Sequence, residues 1–389
     1  MRVEASGEGI PPLPIWKELN TMTTLSQAHR QWASRPADER FTSLTELQAF
    51  AALSRQTSRS NVVSTREIEL LPADGDHRGL LIGARDGTQA TPTHWSFGQL
   101  CSLASTPSPA SYFRESSLPT PIIADCLNYN LRFTRGVEDA KLLVSGQGDR
   151  VELRAATGPR YGRIWNADVV DALVERFGDG VSGHWRVPGI FGQRITVDKG
   201  NTTLYASDRD MFVFLADEDR RIEIPNRRNG RPGSLARGFF VWNSEVGNTT
   251  LGAGFFLFDY VCCNRYVWGA DQYTEVRVRH TSGAPDRWIE EVTPVLREYA
   301  EGSAKPVLQA IEDARSKRIE VDLDKFLAGR FGKSLVPALK AVHETEEGRP
   351  IETLWDVTVA ATAHARSLPN NDRRLELERS AGELLKTAA

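Results

Sequence analysis

The sequence predicts an α+β protein, with a mostly antiparallel sheet flanked by helices and followed by a C-terminal helical subdomain. Three observations predict it. Strand and helix patterns come in blocks rather than in the strand-helix alternation of a doubly wound parallel sheet. The densest β signal, residues 203–268, is cut into short runs at Gly and Pro. From Asp286 onward apolar residues recur at spacings of three and four.

Residues 1–43 carry Gly7, Gly9, Pro11, Pro12 and Pro14 without a sustained period. They read as a flexible arm holding at most one short helix, at 25–32. The core domain is expected over 44–320 and the helical subdomain over 321–389. Leu44, Leu47, Phe50 and Ala51 mark a first helix that Ser43 or Thr45 can cap. Residues 62–70 and the run from Leu80 read as a hairpin around PADGDHRG. Residues 92–135 read as helices punctuated by Pro107, Pro109, Pro119 and Pro121. KLLVS from Lys141 and VELRA from Val151 read as paired strands, and Val169, Val170, Leu173 and Val174 as one helix face over 168–177. Strands at 203–216, 237–243 and 250–262 form the expected antiparallel sheet. Trp288, Ile289, Val292, Leu296 and Tyr299 share a helix face that Pro294 interrupts, and Ser303 can cap the next helix. Trp355, in TLWDV beside Ala360, Ala361 and Ala363, is expected to staple the C-terminal helices.

The 389 residues carry 48 Lys+Arg against 51 Asp+Glu, a net charge of −3, which excludes a globally cationic nucleic-acid coat but not a local basic patch. No run approaches the roughly 18 apolar residues of a membrane span, and the first residues hold no apolar signal core. A cytoplasmic protein without a membrane partner is expected. The four cysteines form no C-x-x-C; Cys262 and Cys263 are expected to be reduced, at least one of them buried. The seven histidines form neither H-x-H nor H-E-x-x-H, and no P-loop, G-x-S-x-G or G-x-G-x-x-G occurs. No cofactor, resident metal or catalytic residue is therefore expected, which favours a binding protein over an enzyme.

Two features carry binding chemistry. Between residues 220 and 237, Arg220, Arg221, Arg227, Arg228, Arg231 and Arg237 are opposed only by Glu223. An arginine-rich turn between strands suits phosphate, which guanidinium grips bidentately; the alternative is a solvated hairpin tip. Residues 239–273 are dense in aromatics, including Phe239, Phe240, Trp242, Phe255 and Phe256. Such rings either stack unpaired bases or fill a core, and the consecutive Phe pairs favour the core because a pleat sends one ring to each face. Smaller basic groups lie at Arg160 and Arg163 around a Gly-Pro turn and at Arg277 and Arg279 in VRVRH. Asp208, Asp210, Glu245 and Asp259 are the carboxylates that could converge in a metal site.

WNSEVG (242–247) followed by FDYVCCNRYVWG (258–269) resembles the phage- and plasmid-associated family catalogued as domain of unknown function 932. FGQLC with PASYF, RYGR, TLYASDRD and TLWDV are looser matches, extending the resemblance over about residues 45–385. It implies a mobile-element setting and supplies no catalytic residues. The leading expectation is a nucleic-acid-binding protein, with single-stranded DNA favoured, acting in annealing, recombination or replication and compatible with a homo-oligomer. The alternatives are a metal-dependent nucleic-acid hydrolase and an anti-defence interaction protein.

Overall fold

The computed structural model describes residues 36–73, 79–83, 89–105, 110–133, 138–147, 150–188, 196–200, 202–227, 231–259, 265–267, 276–368 and 371–388. The short helix expected at 25–32, Cys262 and Cys263 lie outside them. In chain order come β1 (Arg40–Phe41), α1 (Leu44–Thr57), β2 (Ser58–Ser64), β3 (Glu69–Pro72), β4 (Leu80–Gly83) and β5 (Gln89–Pro92). Three helices follow, α2 (His94–Leu103), α3 (Ala110–Glu115) and α4 (Thr120–Phe133), then the hairpin β6 (Asp139–Gln147) and β7 (Arg150–Thr157). Helix α5 (Asn166–Phe177) leads into β8 (Trp185–Arg186), β9 (Leu204–Ala206), β10 (Met211–Asp217), β11 (Ile222–Arg227), β12 (Arg231–Asn243), β13 (Leu251–Asp259), β14 (Arg265–Val267) and β15 (Val276–Val278). Six helices close the chain: α6 (Ala284–Glu301), α7 (Lys305–Ser316), α8 (Leu323–Phe331), α9 (Val336–Glu347), α10 (Leu354–Arg366) and α11 (Asn371–Ala388).

The fold is α+β, as the pattern predicts, but the core region holds two sheets. The smaller has the order β2-β6-β7-β5-β4-β3, antiparallel except for the parallel β5–β7 pair. The larger runs β1-β9-β10-β12-β13-β14, with β8, β11 and β15 attached at its flanks. Its strand β1 draws Arg40 and Phe41, residues assigned to the arm by composition, into pairing with Tyr205 and Leu204. The predicted 203–216 strand is broken at 207–210, where the Ser207 hydroxyl accepts from the backbone N–H groups of Arg209 and Asp210.

The aromatic strands are core. Phe239 and Phe255 face a cluster built with α5 and α6, while Phe240, Trp242 and Phe256 lie on the opposite face with Phe214. Those opposite-face rings lie over glycines of the paired strand. Trp242 is opposite Gly252, Phe240 opposite Gly254 and Phe256 opposite Gly238. A Cβ at Gly252 would stand 2.1 Å from the Trp242 ring and one at Gly254 would stand 2.5 Å from Phe240. Glycine weakens a strand interior, but here it provides the space in which flat rings cover the sheet. The core reading favoured by the consecutive Phe pairs holds for Phe239, Phe240, Phe255 and Phe256, all at most 2% exposed, and the stacking alternative falls for these rings.

Helix starts follow the sequence closely. Ser43 Oγ accepts from Glu46 N at 3.0 Å; the N-cap of α7 is Ala304 rather than Ser303, whose Oγ, one residue earlier, accepts from Lys305 N at 3.2 Å. The C-terminal helices begin earlier than residue 321, because α7 packs with Trp355, Val359 and Leu385 against Ile222, Ile224, Leu235 and Leu257 of the large sheet. At the start of α10, Thr353 and Asp356 form a reciprocal capping box. The Asp356 carboxylate also accepts both Nη groups of Arg349, at 2.9 and 2.5 Å. Burial opposes its charge, but hydrogen bonds from His343, Arg349 and the Glu352 N–H hold its carboxyl well below the usual carboxylate range. No helix among the described residues is long and apolar enough to cross a membrane.

Two outcomes follow from this packing. Trp355 is 2% exposed, so Trp355→Ala should cost about 3–5 kcal/mol in urea unfolding. Because the Asp356 carboxyl is depressed in the folded state, its contribution is fully present above the unfolded carboxyl value near pH 4. It is lost as pH falls toward the folded value. Asp356→Asn should therefore lower the melting temperature at pH 7 and narrow its gap to the parent in acid, measured by calorimetry over that range.

Candidate nucleic-acid interface

The site is built around the turn that ends β12. Asn243 Nδ2 donates to Ile164 O at 2.9 Å and to Asn166 Oδ1 at 2.8 Å. The Ser244 carbonyl accepts the Tyr161 hydroxyl at 2.9 Å. The Val246 carbonyl accepts Trp95 Nε1 and Gln99 Nε2 at 3.0 and 2.7 Å, and Gly247 completes the turn with φ +84°. Glu245 is 2% exposed. One of its oxygens accepts Asn166 N at 2.8 Å, at the first residue of α5. The helix has no side-chain cap of its own, so a carboxylate from the distant turn after β12 complements its N-terminal dipole. The other oxygen lies 2.9 Å from Arg154 Nη2, and Arg163 Nη1 donates to the Glu245 carbonyl.

Arg154 reaches this point because of a local irregularity. The β6–β7 register pairs Leu143 with Ala155 and Val144 with Leu153, leaving Arg154 as the extra residue of a bulge. A bulge re-aims one side chain. While Leu153 and Ala156 pack under α2 and α4, Arg154 turns to Glu245 and, through Nη1, to Ser54 Oγ at 3.0 Å.

Beside this network a cleft of about 420 Å³ opens between the small sheet and helices α1, α5 and α6, within the roughly 300–1,000 Å³ of small-ligand sites. Its walls carry Arg55, Lys141, Arg163, Trp165, Asp168 and Trp288. Arg55 pairs with Asp168 and lies 5.6 Å from the Trp165 ring centre. Arg163 lies 5.7 Å from the same ring and 5.4 Å from Tyr161. Burial pushes its guanidinium down to about 10, so it remains cationic at neutral pH. Lys141 Nζ donates to Tyr161 O at 3.1 Å. The lining thus holds three cations and one carboxylate, which pairs with Arg55, beside a half-buried tryptophan. Such a surface suits a phosphate next to a flat ring.

The arginines singled out in the sequence fall into three groups. Arg237 is 3% exposed and donates to the Tyr299, Ala300 and Gly302 carbonyls, where Arg220 also reaches Ala300 O. Both satisfy the C-terminal carbonyls of α6 and complement its dipole. Arg220 is also paired with Asp217 and Arg221 with Glu218. A charge count beginning at residue 220 leaves out the acidic run 217–219 just before it. At the hairpin tip Arg227 and Arg231 are opposite each other in register; their side chains, and all of Arg228, lie outside the described residues.

The second and third groups meet in space. Gly162 N donates to His280 O at 3.0 Å, His280 Nδ1 lies 3.1 Å from Gly162 O, and the Tyr161 and His280 rings stack at 5.0 Å. This brings the turn with exposed Arg160 against the strand end with exposed Arg277 and Arg279. Arg277 lies 5.9 Å from the Trp242 ring centre, whereas Arg163 turns inward. Gly162 permits the approach, since a Cβ there would stand 1.8 Å from Thr281 O. Residues not singled out for binding complete the cleft: Arg55, Lys141, Trp165 and Trp288. Lys141 and Trp288 were legible only as members of a strand and a helix face.

The carboxylates stay apart. Asp210 accepts from Ser207 Oγ and Asn248 Nδ2, exposed Asp208 lies 3.8 Å from Arg209, and Glu245 serves Arg154. The Asp259 side chain lies outside the described residues. Among the described residues no group of three or more His, Cys, Asp or Glu could hold a metal ion. No family model, curated protein or solved structure matches the chain.

The buried Arg154–Glu245 pair should behave as one unit. Glu245→Ala and Arg154→Ala should each cost about 3–5 kcal/mol, since each leaves a buried charge unpaired. The double variant should cost clearly less than their sum in a denaturant double-mutant cycle. Gly162→Ala should be destabilising in the same assay.

Proposed function

We propose that the protein binds single-stranded nucleic acid, single-stranded DNA being favoured, with the cleft between the small sheet and helices α1, α5 and α6 as its primary site. The observation that carries this reading is the juxtaposition of Arg55, Lys141 and Arg163 with the face of Trp165 in an open cleft. Cations close to a ring match the repeating pattern of phosphate and base. The exposed Arg160, Arg277 and Arg279 extend the cationic surface beyond it; the sequence adds Arg227, Arg228 and Arg231 as further candidates. A role in annealing, recombination or replication of a phage or plasmid rests on the resemblance of the WNSEVG and VCCNRYVWG segments. The local cationic surface answers the objection raised by a net charge of −3, because association responds to the nearby field rather than to the total.

Oligonucleotide affinity measured at several salt concentrations tests the reading. Each phosphate contact on a single strand contributes about −0.7 to the slope of log affinity against log salt. Arg55→Glu with Lys141→Glu should flatten the slope by about 1.4 and weaken binding to all sequences. Replacing Arg227, Arg228 and Arg231 by Glu should flatten it by about two units. Circular dichroism on both variants checks that they remain folded, so that lost affinity reports lost contacts. Binding should also quench tryptophan fluorescence, less so in Trp165→Ala. A parent protein without affinity at low salt overturns the reading.

A further inference from the structure

Helix α4 turns toward solvent a face that its composition would bury. Ala124, Leu127 and Leu131 form its inner stripe and pack on the small sheet. On the opposite side Ile122, Tyr129 and Phe133 are 52%, 64% and 71% exposed, with half-buried Cys126 between them. Positions 122, 126, 129 and 133 recur at four, three and four, the spacing of a continuous helix–helix seam. Tyr129 and Phe133 already contact each other, with ring centres 5.1 Å apart, so part of the surface is ordered before any partner arrives.

We infer that this face docks a second copy of the chain, α4 against α4, antiparallel across a two-fold axis. Charge selects the occupant and its direction. Asp125 and Arg132 are exposed, seven residues apart on one flank of the seam. In an antiparallel pair centred between residues 128 and 129, Asp125 of each copy faces Arg132 of the other, so the contact is self-complementary as a two-fold requires. A parallel pair would set that flank against the one carrying Ile123 and Asn130, without charge. Within its own chain Arg132 reaches Glu69 at 3.5 Å, both side chains being about half exposed. That is a weak pair, which the new partner can displace. The 14 residues of α4 span only about 21 Å, and one such helix pair falls short of the roughly 1,600 Å² of a standard interface. The dimer is accordingly concentration-dependent rather than obligate. It also leaves the cleft open. Along β6, Leu142 faces the helices of this layer and Lys141 faces the cleft, so dimer face and cleft lie on opposite sides of the small sheet.

Light scattering on the full chain over a roughly 100-fold range of concentration tests this. The mass of the parent should rise toward twice that of one chain. Tyr129→Glu with Phe133→Glu should stay at one chain mass throughout, with unchanged circular dichroism and melting temperature. Asp125→Arg and Arg132→Asp should each self-associate at least about fivefold more weakly. An equimolar mixture of the two should recover the parent's dimer, since each Arg again faces an Asp. A parent that stays at one chain mass, or a dimer that survives the double glutamate variant, overturns the inference. A mixture no better than its components overturns the antiparallel pairing.

Discussion

Glu245 is the residue on which the arrangement of the two sheets depends. A carboxylate at 2% exposure is costly unless its charge is met. Here it is met twice, by the N-terminus of α5 and by Arg154 of the other sheet. Around it the turn distributes its backbone carbonyls to Tyr161, Arg163, Trp95 and Gln99. Sheet-to-sheet geometry is therefore set by directional polar contacts rather than by apolar burial alone. That matters for the cleft, whose walls come from α1, β2, β6, α5 and α6 and keep their spacing only while the sheets hold their relative position.

The same economy of charge governs the arginines. A guanidinium near a helix C-terminus satisfies carbonyls that have no partner in the helix, and Arg220 and Arg237 do this for α6. Arg163 is held by two rings and a carbonyl at the cleft wall. The described arginines thus divide between supporting a helix, lining the cleft and facing solvent, according to what lies next to them in space. The basic surface that remains is assembled from segments more than a hundred residues apart, joined at Gly162 and His280.

Glycine and aromatic residues share a comparable division of labour in the large sheet. Each of Gly238, Gly252 and Gly254 is paired with a ring that would collide with a Cβ. The rings close one face of the sheet over the glycines, while Phe239 and Phe255 fill the other against α5 and α6. The α6 helix is then clamped at both ends: Trp288 at its start borders the cleft, and its last carbonyls rest on Arg237.

What the sequence determined by itself was local. The Ser43 and Ser303 contacts at helix starts, the β6–β7 hairpin, the helix with Pro294 and the buried Trp355 all follow from spacing, capping chemistry and side-chain size, which act over a few residues. The α+β class follows from the same signals taken in blocks. Tertiary structure decided what requires distant partners: the division of the core into two sheets, the parallel β5–β7 pair, the recruitment of α7 into the C-terminal helices and the fate of each arginine. The cleft is the clearest case. Arg55, Lys141, Arg163, Trp165 and Trp288 share no motif or period, because they line one wall only through the bulge at Arg154, the approach at Gly162 and the carboxylate of Glu245. Charge and aromaticity can be read from a sequence, but whether a cation meets a carbonyl, a ring or water depends on contacts between residues that the chain order keeps far apart.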